Sequence, residues 1–396
     1  MKINLAVFFG GMSVEHEISV ISAQQAMAAA DTDKYNILPV YITKKGEMYH
    51  SAAMTNIDVF KDIPTLLTKS RQVTFINSGG KVHMIGFPSK LFEKSLSAID
   101  IALPVIHGTN AEDGTLQGFF ELLSLPYAGC NILASSAGMD KVVMKQILQA
   151  HNIPVLPCQY FYMRDFALDQ QAILEKAEAL GYPLIVKPAN LGSSVGIKKA
   201  ADRDELLDAI ELAGSFAPKI LIESAITNLR EINCSVLGDV YDMKTSICEE
   251  PIAGDIILSY QDKYMSGSKG SKGGKNAGMS GAARKIPADL DDVMEKSIRQ
   301  ICADTFKALG CSGVARVDCM IDTATGSFYV NEINTIPGSL SFYLWEKTGI
   351  SFPALIDELV SIALKQKREK DAITFTYDTN ILSLQSGGAK GAKGVK

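Results

Sequence analysis

The sequence predicts an α/β protein: a mostly parallel, helix-covered sheet first, then a region of longer antiparallel strands. Three observations predict it. Strand-like and helix-like runs alternate through the first third of the chain, the pattern of βαβ units. The stretch GYPLIVKPANLGSSVGIKKA (181–200) reads as strand, glycine loop, strand. Near the end, ARVDCMIDTATGSFYVNEIN (315–334) reads as a hairpin.

The elements follow in order. INLAVFFGG (3–11) is a buried strand that stops at glycines, and SVEHEISVISAQQAMAAA (13–30) is a helix. YNILPVYIT (35–43) and AIDIALPVIHG (98–108) are strands, and GTLQGFFELLSLP (114–126) is a second helix. Ligands of such sheets sit at the carboxyl ends of strands, which here carry GGMSVEHE and HGTNAEDG. A boundary falls near residue 138, before the helix MDKVVMKQILQAHN and the amphipathic helix ADRDELLDAIELA. Antiparallel strands begin with LIESAITNLREINCSVLGD (221–239). Two segments stand apart in composition, SGSKGSKGGKNAGMSG (266–281) and the tail SGGAKGAKGVK (386–396).

With 396 residues, 47% of them hydrophobic and 21% charged, the chain has room for two or three domains. A net charge of −5 gives no pull toward nucleic acid or an anionic membrane. The seven cysteines form no CxxC pair and the five histidines are scattered, so reduced cytosolic thiols are expected rather than zinc. No signal peptide and no run of about 18 apolar residues is found, so a soluble, cytoplasmic protein is expected.

The hairpin carries chemistry. If Ala324, Thr325 and Gly326 form a three-residue loop with glycine left-handed, residues i and 650−i face each other. Asp318 then opposes Glu332, Arg316 opposes Asn334, and all four leave one face. Opposed acids destabilise a strand pair unless a cation lies between them, and Asp, Glu and Asn oxygens suit Mg²⁺. The plainer reading is a solvated face with Arg316 neutralising one acid.

Other motifs bear on the choice. Lys187 ends a strand ahead of Gly192, Ser193, Ser194 and Gly196, a loop able to cradle phosphate or simply to turn. Lys263, Lys269, Lys272, Lys275, Arg284 and Lys285 lie in an acid-free stretch, 263–288, which reads as a flexible linker or as a lid over an anion. Ser13 can cap the first helix, and Glu15 in its first turn complements the helix dipole. GGMSVEHE lacks the GxGxxG dinucleotide pattern. His107, at a strand end, either meets substrate or is structural.

Together, FFGGMSVEHEIS, HGTNAEDGTLQGFFELLSLPYAG, MDKVVMKQIL, VKPANLGSSVGI, REINCSVLG, DKY, GVARVDCMID and YVNEINTIPG resemble the D-alanine–D-alanine ligases of the ATP-grasp superfamily. They occur in that family's order over most of the chain. The resemblance implies an N-terminal substrate-binding domain (1–137), a central subdomain (138–222), a C-terminal catalytic subdomain (223–370) and an extension (371–396). Antiparallel sheets of the last two subdomains would sandwich ATP. ATP would phosphorylate one D-alanine, and the amine of a second would attack the acyl phosphate, supplying peptidoglycan precursors. Lys141, Lys187, Ser193, Ser194 and Lys263 would meet the phosphates, Glu223, Ser224, Ala225 and Ile226 the adenine, and Glu231 the ribose. Asp318, Glu332 and Asn334 would hold two Mg²⁺, with Mn²⁺ as a substitute, and Arg316 would stabilise the oxyanion. Glu15 would pair with the first ammonium, and Ser193 and Tyr264 would link it to the phosphate loop. The family also implies a homodimer through the N-terminal domain, and neither nucleic acid nor membrane as partner.

Two departures concern the second substrate. Between Tyr264 and Ile286 there is neither an aromatic residue nor histidine, where family lids carry one. After Pro337 the run is GSLSFYLWEKTG, so Gly338, Ser339 or Ser341 would take the second carboxylate, with His107 nearby. D-serine, D-lactate or another amino acid thus stand as alternatives to D-alanine, and a nucleotide-binding regulator without turnover as the alternative of another class.

Overall fold

The computed structural model describes residues 2–89, 95–192, 195–252 and 284–376. Its first sheet has seven strands: β1 (Ile3–Gly10), β2 (Tyr35–Ile42), β3 (Met48–His50), β4 (Arg71–Ser78), β5 (Lys81–Gly86), β6 (Ser97–Ile99) and β7 (Ile101–Pro104), in the order β6-β5-β4-β3-β2-β1-β7. Strand β1 is parallel to both neighbours, β2 and β7. Leu5 to Phe9 are wholly buried, the continuous apolar run that a strand covered on both faces requires.

The expected parallel sheet is therefore its three-strand end, β2-β1-β7. Pairings from β2 through β3, β4 and β5 to β6 are antiparallel. The signal for this extension was Gly79-Gly80, whose positive φ values of 60° and 78° make the two-residue turn between β4 and β5. The run 98–108 is two strands rather than one, because Asp100 turns aside to accept the Asn4 N–H at 2.8 Å.

Helices α1 (His16–Ala29), α2 (Ile63–Thr68) and α3 (Thr115–Leu122) belong to this unit, and α4 (Ile132–Met139) and α5 (Lys141–Ala150) follow it. Strands β8 (Cys158–Tyr162), β9 (Leu184–Pro188), β10 (Lys198–Ala200) and β11 (Lys219–Ser224) form an antiparallel sheet, β10-β9-β11-β8. Helices α6 (Met163–Leu168), α7 (Gln170–Glu178) and α8 (Arg203–Gly214) accompany it. Leu174, Leu206 and Ile210 close its core against Leu184, Val186 and Ile220.

The third sheet holds β12 (Leu229–Gly238), β13 (Met243–Pro251), β14 (Arg284–Lys285), β15 (Gly313–Asp322) and β16 (Phe328–Asn334), in the order β14-β13-β12-β15-β16. Its buried face packs on α9 (Asp292–Ala308) through Ile298, Cys302 and Phe306. Ala134, Ala137, Met144 and Leu148 of α4 and α5 share that core. Helix α5 touches both sheets: Met144 and Leu148 join the core of the third, while Val142 packs with Ala189 and Leu221 of the central one. Helices α10 (Phe342–Lys347) and α11 (Phe352–Asp371) return to the first unit, where Trp345, Leu355 and Leu359 join its core. No described helix is long and apolar enough to cross a membrane.

Candidate active site

The site is built on the exposed face of the third sheet. Asp318 pairs with Glu332 and Arg316 with Asn334, as 650−i requires. The loop expected to give this register is nevertheless different. Asp322 and Ser327 bond at 2.9 Å, and the Gly326 N–H returns to the Asp322 carbonyl at 2.8 Å, so Thr323 to Gly326 make a four-residue turn. Pairing then slips between Asp318 and Cys319, leaving Asn331 as a bulge. The extra loop residue and the bulge cancel. The bulge also aims Asn331, whose Oδ1 accepts from Lys187 Nζ at 3.1 Å.

Cross-strand pairs Glu249–Asn233, Asn233–Asp318 and Asp318–Glu332 place one polar row across β13, β12, β15 and β16. The acids in it have basic partners. Arg316 grips Asp318 with both prongs, Nε to Oδ1 at 2.7 Å and Nη2 to Oδ2 at 2.8 Å. Asn334 donates to the same Asp318 Oδ2 at 3.0 Å. Burial alone would weaken the Arg316 cation, yet the Asp318 charge holds its pKa well above the ordinary value. Lys141 Nζ lies 3.2 Å from Glu332 and donates to the Leu191 carbonyl at 3.0 Å.

Between the second and third sheets runs a cleft. Lys187, Glu223 to Ile226, Glu231, Asp318 and Glu332 all line it, so the structure brings these expected residues together. Leu156, Ile185, Leu229 and Met320 add apolar wall; in sequence they look like any core residue. Glu223 projects between two lysines, Lys145 at 2.9 Å and Lys187 closer still. Burial raises a carboxyl, but these two ammonium groups overcome it and bring Glu223 down to about 2. Lys145 escaped the sequence reading. Its signal was the i, i+4 spacing with Lys141 on the buried face of α5.

At one end of the cleft a smaller pocket of about 390 Å³ joins Glu15, Glu112, Lys141, Gly192, Glu332 and Asn334. Glu15 stands just before α1, at its N-cap position rather than within the first turn. Its N–H donates to Ser13 Oγ at 3.1 Å, so Ser13 braces the loop into the helix. Its carboxylate faces Gly108 and Gly192: a Cβ at those positions would lie 2.6 and 3.3 Å from Glu15 Oε2. Gly108 also has φ +76°, so glycine there serves both backbone and approach.

Of the two readings of His107, contact with substrate and a structural role, its hydrogen bonds favour the second. Its ring lies 2.8 Å from the Ile336 carbonyl through Nδ1 and 2.9 Å from Ser22 Oγ through Nε2, leaving neither nitrogen free. A carbonyl only accepts, so Nδ1 carries the proton. Burial lowers the pKa of His107, consistent with a neutral ring. Ser339, Leu340 and Ser341 follow Gly338 with φ of 52°, 53° and 53°. Left-handed backbone costs about 1–2 kcal/mol at each such L-residue, so the surroundings hold this turn in place. The Ser339 and Ser341 hydroxyls are buried with no partner among the described residues. Ser193, Ser194, Lys263, Tyr264, the segment 266–281 and the tail 386–396 lie outside the described residues.

Two antiparallel sheets closing on a cleft lined by acids and lysines, with an α/β unit beside it, define an ATP-grasp ligase. Residues 4–130 match the family described as D-ala D-ala ligase N-terminus, and residues 147–361 match D-ala D-ala ligase C-terminus. The chain belongs to the D-alanine–D-alanine ligase family. It is 38% identical over 385 residues to a D-alanine–D-alanine ligase of Thermosipho melanesiensis, covering 97% of this chain and 99% of that one. A Thermoanaerobacter ligase is 40% identical over 381 residues, covering 93% and 98%. The D-alanine–D-alanine ligase of Coxiella burnetii superposes with TM-score 0.76 at 31% identity, covering 93% and 96%. The VanG D-Ala:D-Ser ligase of Enterococcus faecalis does so with TM-score 0.75 at 31%, covering 92% and 100%.

Proposed function

We propose that this chain joins two D-alanines into D-alanyl-D-alanine at the expense of ATP, for peptidoglycan precursors in the cytoplasm. One observation carries the reading: Glu15 ahead of α1, Lys141 of α5, and Glu332 and Asn334 of β16 meet in one pocket beside the cleft between the two antiparallel sheets.

Adenine lies against Leu229 and Met320, with the Glu223–Ile226 backbone along its edge and Glu231 at the ribose. The Glu223 side chain is not spent on the base; it holds Lys145 and Lys187. Lys141, Lys187, Lys263, Ser193 and Ser194 take the phosphates. Two carboxylates and a carboxamide, Asp318, Glu332 and Asn334, fit Mg²⁺ or Mn²⁺, which keep positions for water and phosphate oxygens. Two such ions would neutralise charge on the transferring phosphoryl group and align it.

Glu15 holds the ammonium of the first D-alanine. The carboxylate oxygen of that molecule attacks the γ-phosphorus and ADP leaves. The amine of the second D-alanine then attacks the acyl carbon, and phosphate departs after the amine loses its proton. Arg316 spends two of its five N–H donors on Asp318, leaving three for the oxyanion. Ser193 and Tyr264 connect Glu15 to the phosphate loop. The turn Gly338–Ser341 receives the second carboxylate through the buried hydroxyls of Ser339 and Ser341. The chain acts as a homodimer through its first unit, a statement sedimentation tests.

D-Serine is the second reading for the attacking amine, because the VanG D-Ala:D-Ser ligase matches this chain as closely in fold and identity as a D-alanine ligase does. ADP formation with D-alanine alone and with D-alanine plus D-serine, D-lactate or L-amino acids separates the two. D-Alanine alone should suffice. Absence of ADP formation with every D-amino acid pair would refute both, leaving a nucleotide-binding protein without turnover.

A further inference from the structure

Glu112 is a buried acid with no basic partner among the described residues, and the reaction above gives it no task. Its two oxygens take two backbone N–H groups from segments far apart in sequence. Oε2 accepts from Gly108 at 2.8 Å, and Oε1 accepts from Ile336 at 2.9 Å. Burial, together with the charges of Glu15 and Glu332, pushes this carboxyl up to about 8 despite those donors, so an acid is kept here against an electrostatic cost.

The Ile336 peptide is gripped at its other end as well. Its carbonyl accepts from His107 Nδ1 at 2.8 Å. His107 Nε2 accepts from the Ser22 hydroxyl at 2.9 Å, and Ser22 Oγ accepts the Ser339 N–H at 3.0 Å. Ser22 of α1 and residues 107–112 thus hold three backbone groups of the segment 336–339. Directly after them come the three left-handed residues Ser339, Leu340 and Ser341. That backbone is unfavourable for L-residues unless its surroundings fix it.

We propose that Glu112, His107 and Ser22 are positioning residues of the second-substrate subsite: the first unit clamps the Ile336–Ser341 turn into the geometry that receives the second D-amino acid. The inference rests on the reading that this turn holds the second carboxylate. Glu112 serves both subsites differently. Through Gly108 it braces the loop beside Glu15, while through Ile336 it sets the far wall. Its direct bond to the far wall predicts an effect on the second substrate in excess of any effect on the first.

The test uses the full-length enzyme and the two separate Michaelis constants that D-alanine shows when it fills two subsites, with the KM for ATP as control. Glu112→Gln keeps size but turns one N–H donor toward another N–H. It should raise the second D-alanine constant about tenfold or more, the scale of leaving one buried N–H donor without an acceptor. The constants for the first D-alanine and ATP should stay within about threefold, the scale of a single neutral bond. Ser22→Ala removes only a hydroxyl, and should raise the second constant about threefold for the same reason. Equal rises in all three constants, or an unchanged second constant, overturn the proposal. If Glu112→Gln does not fold, Ser22→Ala decides by the same criteria. A parent enzyme with no D-alanine-dependent ADP formation would instead refute the underlying reading.

Discussion

Replacing Glu223 by Gln tests how the nucleotide cleft keeps two lysines charged. The side chains of Glu223, Lys145 and Lys187 are exposed by only 3%, 1% and 4%, so each ammonium depends on this one carboxylate for compensation. A carboxyl held at about 2 instead of 4.5 corresponds to roughly 3 kcal/mol of stabilisation. Removing one partner of a buried pair independently suggests about 3–5 kcal/mol. Glu223→Gln should therefore lower the stability of nucleotide-free protein at pH 7 by about 3 kcal/mol, read as a shift of the urea midpoint by far-UV circular dichroism. The sign with pH is fixed. The contribution of a depressed carboxyl is fully present above 4.5 and is lost as pH falls toward 2, so the deficit should hold from pH 7 to 4.5 and shrink below. Adding Lys145→Met removes one of the stranded cations, and the double variant should cost about 1–3 kcal/mol less than the two singles together. A deficit under about 1 kcal/mol, or strict additivity of the two changes, would refute the reasoning.

Other outcomes are expected at the reacting end. Arg316→Met should lower kcat by roughly 10²–10³-fold, the scale of one oxyanion donor, in a steady-state ADP assay; an unchanged kcat would assign Arg316 to Asp318 alone. Asp318→Asn and Glu332→Gln should raise the Mg²⁺ needed for half-maximal rate by more than the roughly 10–100-fold cost of an outer-shell partner, measured by metal titration at fixed ATP. Gly108→Ala would put a methyl group 2.6 Å from Glu15 Oε2 at φ +76°, and should weaken the first D-alanine far more than ATP, read from their separate KM values.

What the sequence made legible was local order. Alternation placed the acids of β15 and β16 on one face, and pairing arithmetic opposed Asp318 to Glu332. The arithmetic held although its loop did not, because the bulge at Asn331 returned the residue that the longer turn took away. Nothing in YVNEIN marks that bulge: it has neither glycine nor proline, and the reason for it lies across the cleft at Lys187. Glu112 was unreadable for a related reason. It binds backbone N–H groups, which every residue but proline carries, and one of them is 224 positions away. Lys145 was hidden by its place on an amphipathic helix, where a lysine normally marks the wet side. His107 shows the converse. A strand-end histidine invites a catalytic reading, and only its two partners, Ile336 and Ser22, reveal a brace.

The way the acids are neutralised explains how one cleft can serve both an ion and a polyanion. Asp318 is gripped by a planar fork that sits two residues away on the same strand. That guanidinium can keep its hold on Asp318 while its remaining donors face a developing oxyanion. Glu332 is neutralised differently, by Lys141 from the start of α5. A lysine is a point charge on a flexible stem, and Lys141 is also a residue expected on the phosphates. If the proposed roles hold, transfer of that ammonium from Glu332 to a phosphate oxygen would uncover the carboxylate for a divalent cation, and phosphate and cation would then favour each other's binding. Lys187 cannot make such an exchange freely, because Glu223 and Asn331 both hold it. Of the two lysines, Lys187 is bound to the buried Glu223, whereas Lys141 is bound to Glu332, one of the acids proposed for the metal.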